Sequence, residues 1–154
     1  MHPGFVSMAG LGLCLAIAAA AGPPGVKTEL VGGTAPGIAA KSTVYLDYSG
    51  ADELVFHSPL IDLRVAYQKV NTLEYGQNVS RRYAAAVLIS PVLLLSKTRK
   101  HFVTVGYVDA AGKQQVFVLR VDKHDIRSVL VGLEARTGRR VEYQDDEARK
   151  AGKG

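Results

Sequence analysis

Residues 102–138 read FVTVGYVDAAGKQQVFVLRVDKHDIRSVLVGLEARTG, and this stretch decides the fold class. Phe102, Thr104, Gly106 and Val108 alternate with Val103, Val105 and Tyr107, which is the period of a strand. Asp109-Ala110-Ala111-Gly112-Lys113 is turn chemistry, with Gly112 free to take a positive φ. Gln115 to Val121 then returns as a second strand, rich in Val, Phe and Leu. A helix is predicted next, over Lys123 to Thr137. Asp122 is the expected N-cap, and Asp125 sits in the first turn, where the helix dipole favours an acid. Ile126, Val129, Leu130 and Leu133 fall at i, i+3, i+4 and i+7, one apolar stripe that must be buried. Leu130 and Leu133 are therefore expected inside, and Arg127 and Glu134 outside. Gly138 is the natural C-cap, preceded by Arg136 in the last turn.

Working outward, the same texture extends towards the N-terminus. Val44, Leu46 and Tyr48 alternate with Tyr45 and Asp47, Ser49 to Asp52 is a turn, and Glu53 to His57 returns. Leu60 to Val65 and Gln68 to Tyr75 read as two more strands, ended by Gly76-Gln77-Asn78. Residues 22–40 are rich in Gly, Pro and Ala and read as a flexible linker, with one peripheral strand at Thr28 to Val31 as the alternative. Beyond the helix, Arg140 to Tyr143 offers a short strand. Residues 144–154 are charged and end in Gly, which predicts a frayed tail. The expectation is one domain over 41–143, mostly β with one C-terminal helix.

Three strings resemble a group of small uncharacterised bacterial exported proteins with a pleckstrin-homology-like (GRAM-like) domain. They are Leu73-Glu74-Tyr75-Gly76, Ser96-Lys97-Thr98-Arg99-Lys100-His101 and Leu133-Glu134-Ala135-Arg136-Thr137-Gly138, and the likeness covers about residues 43–143. The resemblance implies a PH-like bent antiparallel barrel of six or seven strands, plugged by the amphipathic helix. It implies a bacterial source and says nothing about activity.

The 154 residues suit one domain, and 47% hydrophobic with 21% charged residues is ordinary globular usage. There are 19 Lys and Arg against 14 Asp and Glu, a net charge of +5. The whole excess lies in residues 81–101, which hold Arg81, Arg82, Lys97, Arg99 and Lys100 and no acid. No basic helix, zinc pattern or aromatic-interleaved motif accompanies this charge, so nucleic acid is not an expected partner. Between the bases, Tyr83 to Ser96 is uncharged, with Pro91 near its middle. As a helix it would be about 21 Å long, short of the roughly 30 Å hydrocarbon core. Three readings stand. Val87 to Ile89 and Val92 to Leu95 are buried strands whose ends the bases solvate, or the segment is an apolar tip with a basic collar for anionic lipid, or it is a patch for a protein partner.

Catalytic patterns are sparse. No glycine-flanked serine of the nucleophile-elbow type occurs, and Ser58-Pro59 and Ser90-Pro91 have the wrong surroundings. His57, His101 and His124 pair on paper with Asp47, Asp62 or Asp125, as in any chain of this size. No phosphate-cradling glycine loop or helical histidine pair is present, so no cofactor and no metal is expected. The reading is a non-enzymatic binding or scaffolding module whose partner is an envelope protein or an anionic lipid surface. Arg81, Arg82, Lys97, Arg99 and Lys100 are its candidate contacts.

Residues 5–21 carry no charge, and Ala18 to Ala21 supply the small residues that signal peptidases prefer. Residues 1–21 are thus a signal peptide or an uncleaved anchor, and the destination is the periplasm or cell envelope. Cys14 is the single cysteine and lies in this leader. Leu13 before it argues against lipidation, and a processed chain has no thiol for disulfides or catalysis. Protein recovered from its native cells should have lost about the first 20 to 22 residues by intact-mass measurement. A full-length soluble species would refute export by cleavage.

Overall fold

A computed structural model describes residues 22–34, 36–79 and 100–153. The strands are β1 (Val26–Gly33), β2 (Thr43–Asp47), β3 (Glu53–His57), β4 (Asp62–Ala66), β5 (Val70–Gly76), β6 (His101–Val108), β7 (Gln114–Val121) and β8 (Glu142–Tyr143). A 3₁₀ turn, Tyr67–Lys69, joins β4 to β5; helix α1 spans Ile126–Thr137 and helix α2 spans Asp146–Lys153. The strands form one open sheet in the order β4-β3-β2-β1-β7-β6-β5-β8. Every neighbouring pair is antiparallel except β5 and β8. The mostly β class with a C-terminal helix is as expected, although eight strands are present among the described residues rather than six or seven.

The β6–β7 hairpin follows the sequence pattern closely, with Val108 opposite Gln114 and His101 opposite Val121. Its turn is held by Asp109, whose Oδ1 accepts the N–H groups of Ala111 and Lys113, both at 2.9 Å. Gly112 takes φ +79°, a conformation that disfavours side chains with a Cβ. Alternate residues of β6 and β7 point inward, and Val103, Val105, Tyr107, Phe117 and Leu119 enter the main core. The Phe56 and Phe117 rings lie 4.6 Å apart although β3 and β7 are separated by two strands. Flat strands in those places would be about 14 Å apart at roughly 4.8 Å per step, so the sheet curls back over its own inner face.

Helix α1 covers that core. Ile126, Val129, Leu130 and Leu133 are buried, as the stripe requires. The helix starts later than expected, at Ile126 rather than Lys123. Asp122 instead anchors a preceding turn, its carbonyl accepting N–H groups from Asp125 and Ile126 and its Oδ1 accepting that of His124. Gly138 is the C-cap at φ +67°, donating to the Glu134 carbonyl at 2.9 Å. Glu134 is not fully outside: it is half-buried, and its Oε1 accepts the Val141 N–H at 2.7 Å. A Cβ at Gly132 would collide with the Tyr48 ring, so glycine there lets α1 lie against the end of β2.

Two expectations are overturned. Residues 22–40 are not a linker, because β1 runs through the centre of the sheet, bonded to β2 on one side and β7 on the other. Val26, Thr28 and Leu30 face inward while Lys27 and Glu29 face out, and the buried Thr28 hydroxyl donates to the Val44 carbonyl at 2.8 Å. The alternation was there, but glycines flank it, and they dilute the composition on which the linker reading rested. Residues 144–154 are likewise not a frayed tail. Asp145 Oδ1 accepts the Ala148 N–H at 2.6 Å, Ala148 is fully buried, and Gly152 lets α2 lie close against Tyr75, Tyr143 and Leu130. Small residues make that docking, and they carry little hydrophobic signal.

Leu133→Asp should abolish cooperative thermal unfolding, because an unpaired carboxylate at a fully buried site costs several kcal/mol against a total of about 5–15. Val131→Lys, at a position 60% exposed on the same helix, should shift stability by about 0.5 kcal/mol or less. Equal effects would mean that the helix faces are reversed.

Candidate functional site

Pairing of β1 with β7 sets Glu29 directly opposite Arg120 on the outer face, and the two side chains form an ion pair. On the inner side of the same ladder Thr28 faces Val121, and Val121 in turn faces His101 at the start of β6. Lys27, Lys100 and Lys123 border these strands where β1 begins, β6 begins and β7 ends. The result is an open groove of about 650 Å³, bounded by four bases (Lys27, Lys100, Arg120, Lys123) and two acids (Glu29, Asp122). Glu29 is taken up by Arg120, so the other three bases set the sign of the field. Thr28 and Thr43 add polar wall. An open, net-positive groove is suited to an anionic group, held as a charge-assisted contact.

His101 forms one end of this groove and is tied into the core behind it. Its Nδ1 and the Tyr75 hydroxyl share a 2.6 Å hydrogen bond, and the two rings stack at 5.9 Å. Tyr143 meets Tyr75 edge-on from the far side. Burial pushes the Tyr75 phenol up to about 12. Burial also holds the His101 imidazole below its ordinary value, with Asp122 pulling the other way. Both groups are therefore neutral near pH 7, a part-buried polar pair at the groove floor.

Of the sequence-derived contacts, Lys100 is half-buried and lines the groove. Arg81, Arg82, Lys97 and Arg99, with the apolar segment 83–96, lie outside the described residues. Lys27, Arg120 and Lys123 are the groove residues that sequence reading missed. Lys27 lay in the supposed linker, and the other two are scattered bases with no motif. Only cross-strand register brings them together.

Of the histidine and carboxylate pairs, the structure brings His57 to both Asp47 and Asp62. His57 sits between Asp62, whose Oδ1 is 3.0 Å from Nδ1, and Asp47, whose Oδ2 is 3.8 Å from Nε2. Asp47 is held below the usual carboxylate range chiefly by the Ser49 N–H, with His57 a smaller cause. The neighbouring Ser58 hydroxyl is committed to its own turn, donating to the Ile61 carbonyl at 2.6 Å. His124 is exposed beside Asp122. Among the described residues no cluster of three His, Cys, Asp or Glu side chains is arranged to hold a metal ion. No described helix is long and apolar enough to cross a membrane.

Compared with family models, curated proteins and solved structures, the chain matches none.

The depressed His101 value makes stability depend on pH with a definite sign. The unfolded chain binds this proton more readily than the folded one, so stability is fully present above pH 6.5, the ordinary value, and falls as pH drops below it. His101→Phe keeps a ring against Tyr75 and removes the proton. Melting curves across this range should show a shallower loss of stability in acid for the variant, although it starts lower because the Tyr75 hydroxyl loses its partner. An unchanged slope would mean that His101 does not control it.

Proposed function

We propose that the chain is a non-enzymatic binding or scaffolding module of the bacterial cell envelope, built on a PH-like plan. Support for that plan is the order of the sheet, in which β1 joins an arm of β2, β3 and β4 to an arm of β7, β6 and β5. Helix α1 then follows the last strand of the second arm. On this reading β8 and α2 are additions to the common plan. The uncharged run at 5–21 supports export.

The observation that carries the binding function is the groove bordered by Lys27, Lys100, Arg120 and Lys123. It is open rather than enclosed, and its charged groups stand at the ends of three strands instead of converging on one reacting atom. Such a surface recognises charge and shape, whereas catalysis needs groups held around a common point. The ligand class is an anionic group, on a partner protein or at a lipid surface.

A second reading is a peripheral membrane protein using Arg81, Arg82, Lys97, Arg99 and Lys100 around the segment 83–96. Lys100 favours it, because this residue belongs both to the basic stretch and to the groove.

Binding of the full chain to vesicles containing phosphatidylglycerol, and to a soluble polyanion, separates the readings. Each base near headgroups contributes on the order of 1 kcal/mol, so Lys27→Gln with Lys123→Gln should weaken both interactions roughly tenfold or more. Added salt should weaken them further, since the charges act within about one Debye length. Lys97→Gln with Arg99→Gln should weaken vesicle binding alone if the membrane reading holds. Binding that ignores both pairs and ignores salt would overturn the proposed function.

A further inference from the structure

Strand β4 is one edge of the sheet, and among the described residues no strand pairs with its outer side. Its hydrogen-bonding phase follows from two bonds at its ends, Ser58 N–H to the Ile61 carbonyl at 3.2 Å and Tyr67 N–H to the Asp52 carbonyl at 3.0 Å. In the antiparallel register that sets Phe56 opposite Leu63 and Leu54 opposite Val65, bonded pairs alternate with unbonded ones. Leu63 and Val65 therefore bond to β3. Asp62, Arg64 and Ala66 turn their N–H and C=O groups away from the sheet.

The side chains on this edge carry a second regularity. Asp62 and Arg64 lie on the outer face, with side chains 48% and 61% exposed. His57 and Glu53 on β3 hold them there, at 3.0 Å and 3.5 Å. Just before the strand stand two exposed apolar side chains, Leu60 at 88% and Ile61 at 44%.

We propose that β4 is a dimerisation edge at which a second copy of this chain pairs antiparallel about a two-fold axis through Leu63. In that register Asp62 opposes Arg64 of the second copy, and Arg64 opposes its Asp62. The residues that must exchange hydrogen bonds are then the ones whose backbone groups point outward. Ile61, the last residue of the turn before the strand, falls opposite Val65 of the second copy, which covers this exposed apolar side chain. Sliding the copies by one residue brings inward-bonded residues to the ladder. Sliding by two sets Asp62 against Asp62, or Arg64 against Arg64, and like charges directly opposed are unfavourable. A charged edge ordinarily deters such pairing. Opposite charges two residues apart lose that protection against an antiparallel copy of themselves, and an isologous contact follows. The strand is short, so the dimer belongs to the weak interfaces that bury less than about 1,200 Å².

Sedimentation velocity on the full chain from roughly 1 to 500 μM should show a monomer passing to a dimer. Asp62→Arg and Arg64→Asp should each weaken self-association at least tenfold, because one variant opposes bases to bases and the other acids to acids. Mixed one to one, the two variants should associate with each other, and the double reversal should associate with itself. Recovery on mixing also shows that both variants are folded. Ala66→Pro tests the edge without touching charge, since Ala66 has φ −58°, which suits proline, and the ring removes an outward N–H. It too should weaken association. A native chain that stays monomeric, association that survives both single reversals, or a mixture that stays monomeric would each overturn the proposal.

Discussion

The sheet depends on β1 finding a partner on each side. Without it, β2, β3 and β4 form one antiparallel arm and β7, β6 and β5 another, and no ladder joins them. Joining them curls the sheet enough to bring Phe56 against Phe117, and the inner face so created is the core that α1 covers. The junction is reinforced where it is most exposed to failure. The Thr28 hydroxyl bonds across to β2 in a buried setting, and Glu29 pairs with Arg120 across to β7. Pairings at such long sequence separation are costly in chain entropy, so they need side-chain interactions that reward this register above others.

The candidate site is a by-product of the same junction. Register alone sets Glu29 against Arg120 and Val121 against His101, and the strand ends bring Lys27, Lys100 and Lys123 to their border. His101 links the groove to the interior, because its bond to Tyr75 ties the groove floor to the residues on which α2 docks. A chain segment near the C-terminus thereby supports a surface formed near the N-terminus of the described residues.

The elements legible in the sequence share one property: each is decided by neighbours close along the chain. The β6–β7 hairpin has its turn carboxylate, Asp109, and its glycine, Gly112, within the loop itself. The stripe of α1 repeats within three turns, and Gly138 ends it locally. Where local signals competed, the boundary moved. Asp122, the expected N-cap, anchors the preceding turn, and Asp125, expected in the first turn, is the N-cap without a side-chain bond. The candidate site was legible only through Lys100, since bases that are neighbours in space but remote in sequence leave no motif.

Composition and periodicity by themselves determined a mostly β domain, its central hairpin, the buried face of its helix and the concentration of positive charge at 81–101. Tertiary structure alone decided that β1 is a central strand, that residues 146–153 form a helix and that Lys27, Arg120 and Lys123 meet beside Lys100. The physical reason is the same in all three cases. A Gly-rich strand and an Ala- and Gly-bearing helix have weak local preferences, and they take their form from partners far along the chain. Val26 to Gly33 is a strand because β2 and β7 each offer a complementary ladder, and position 152 is glycine where Tyr143, Tyr75 and Leu130 leave no room for a Cβ.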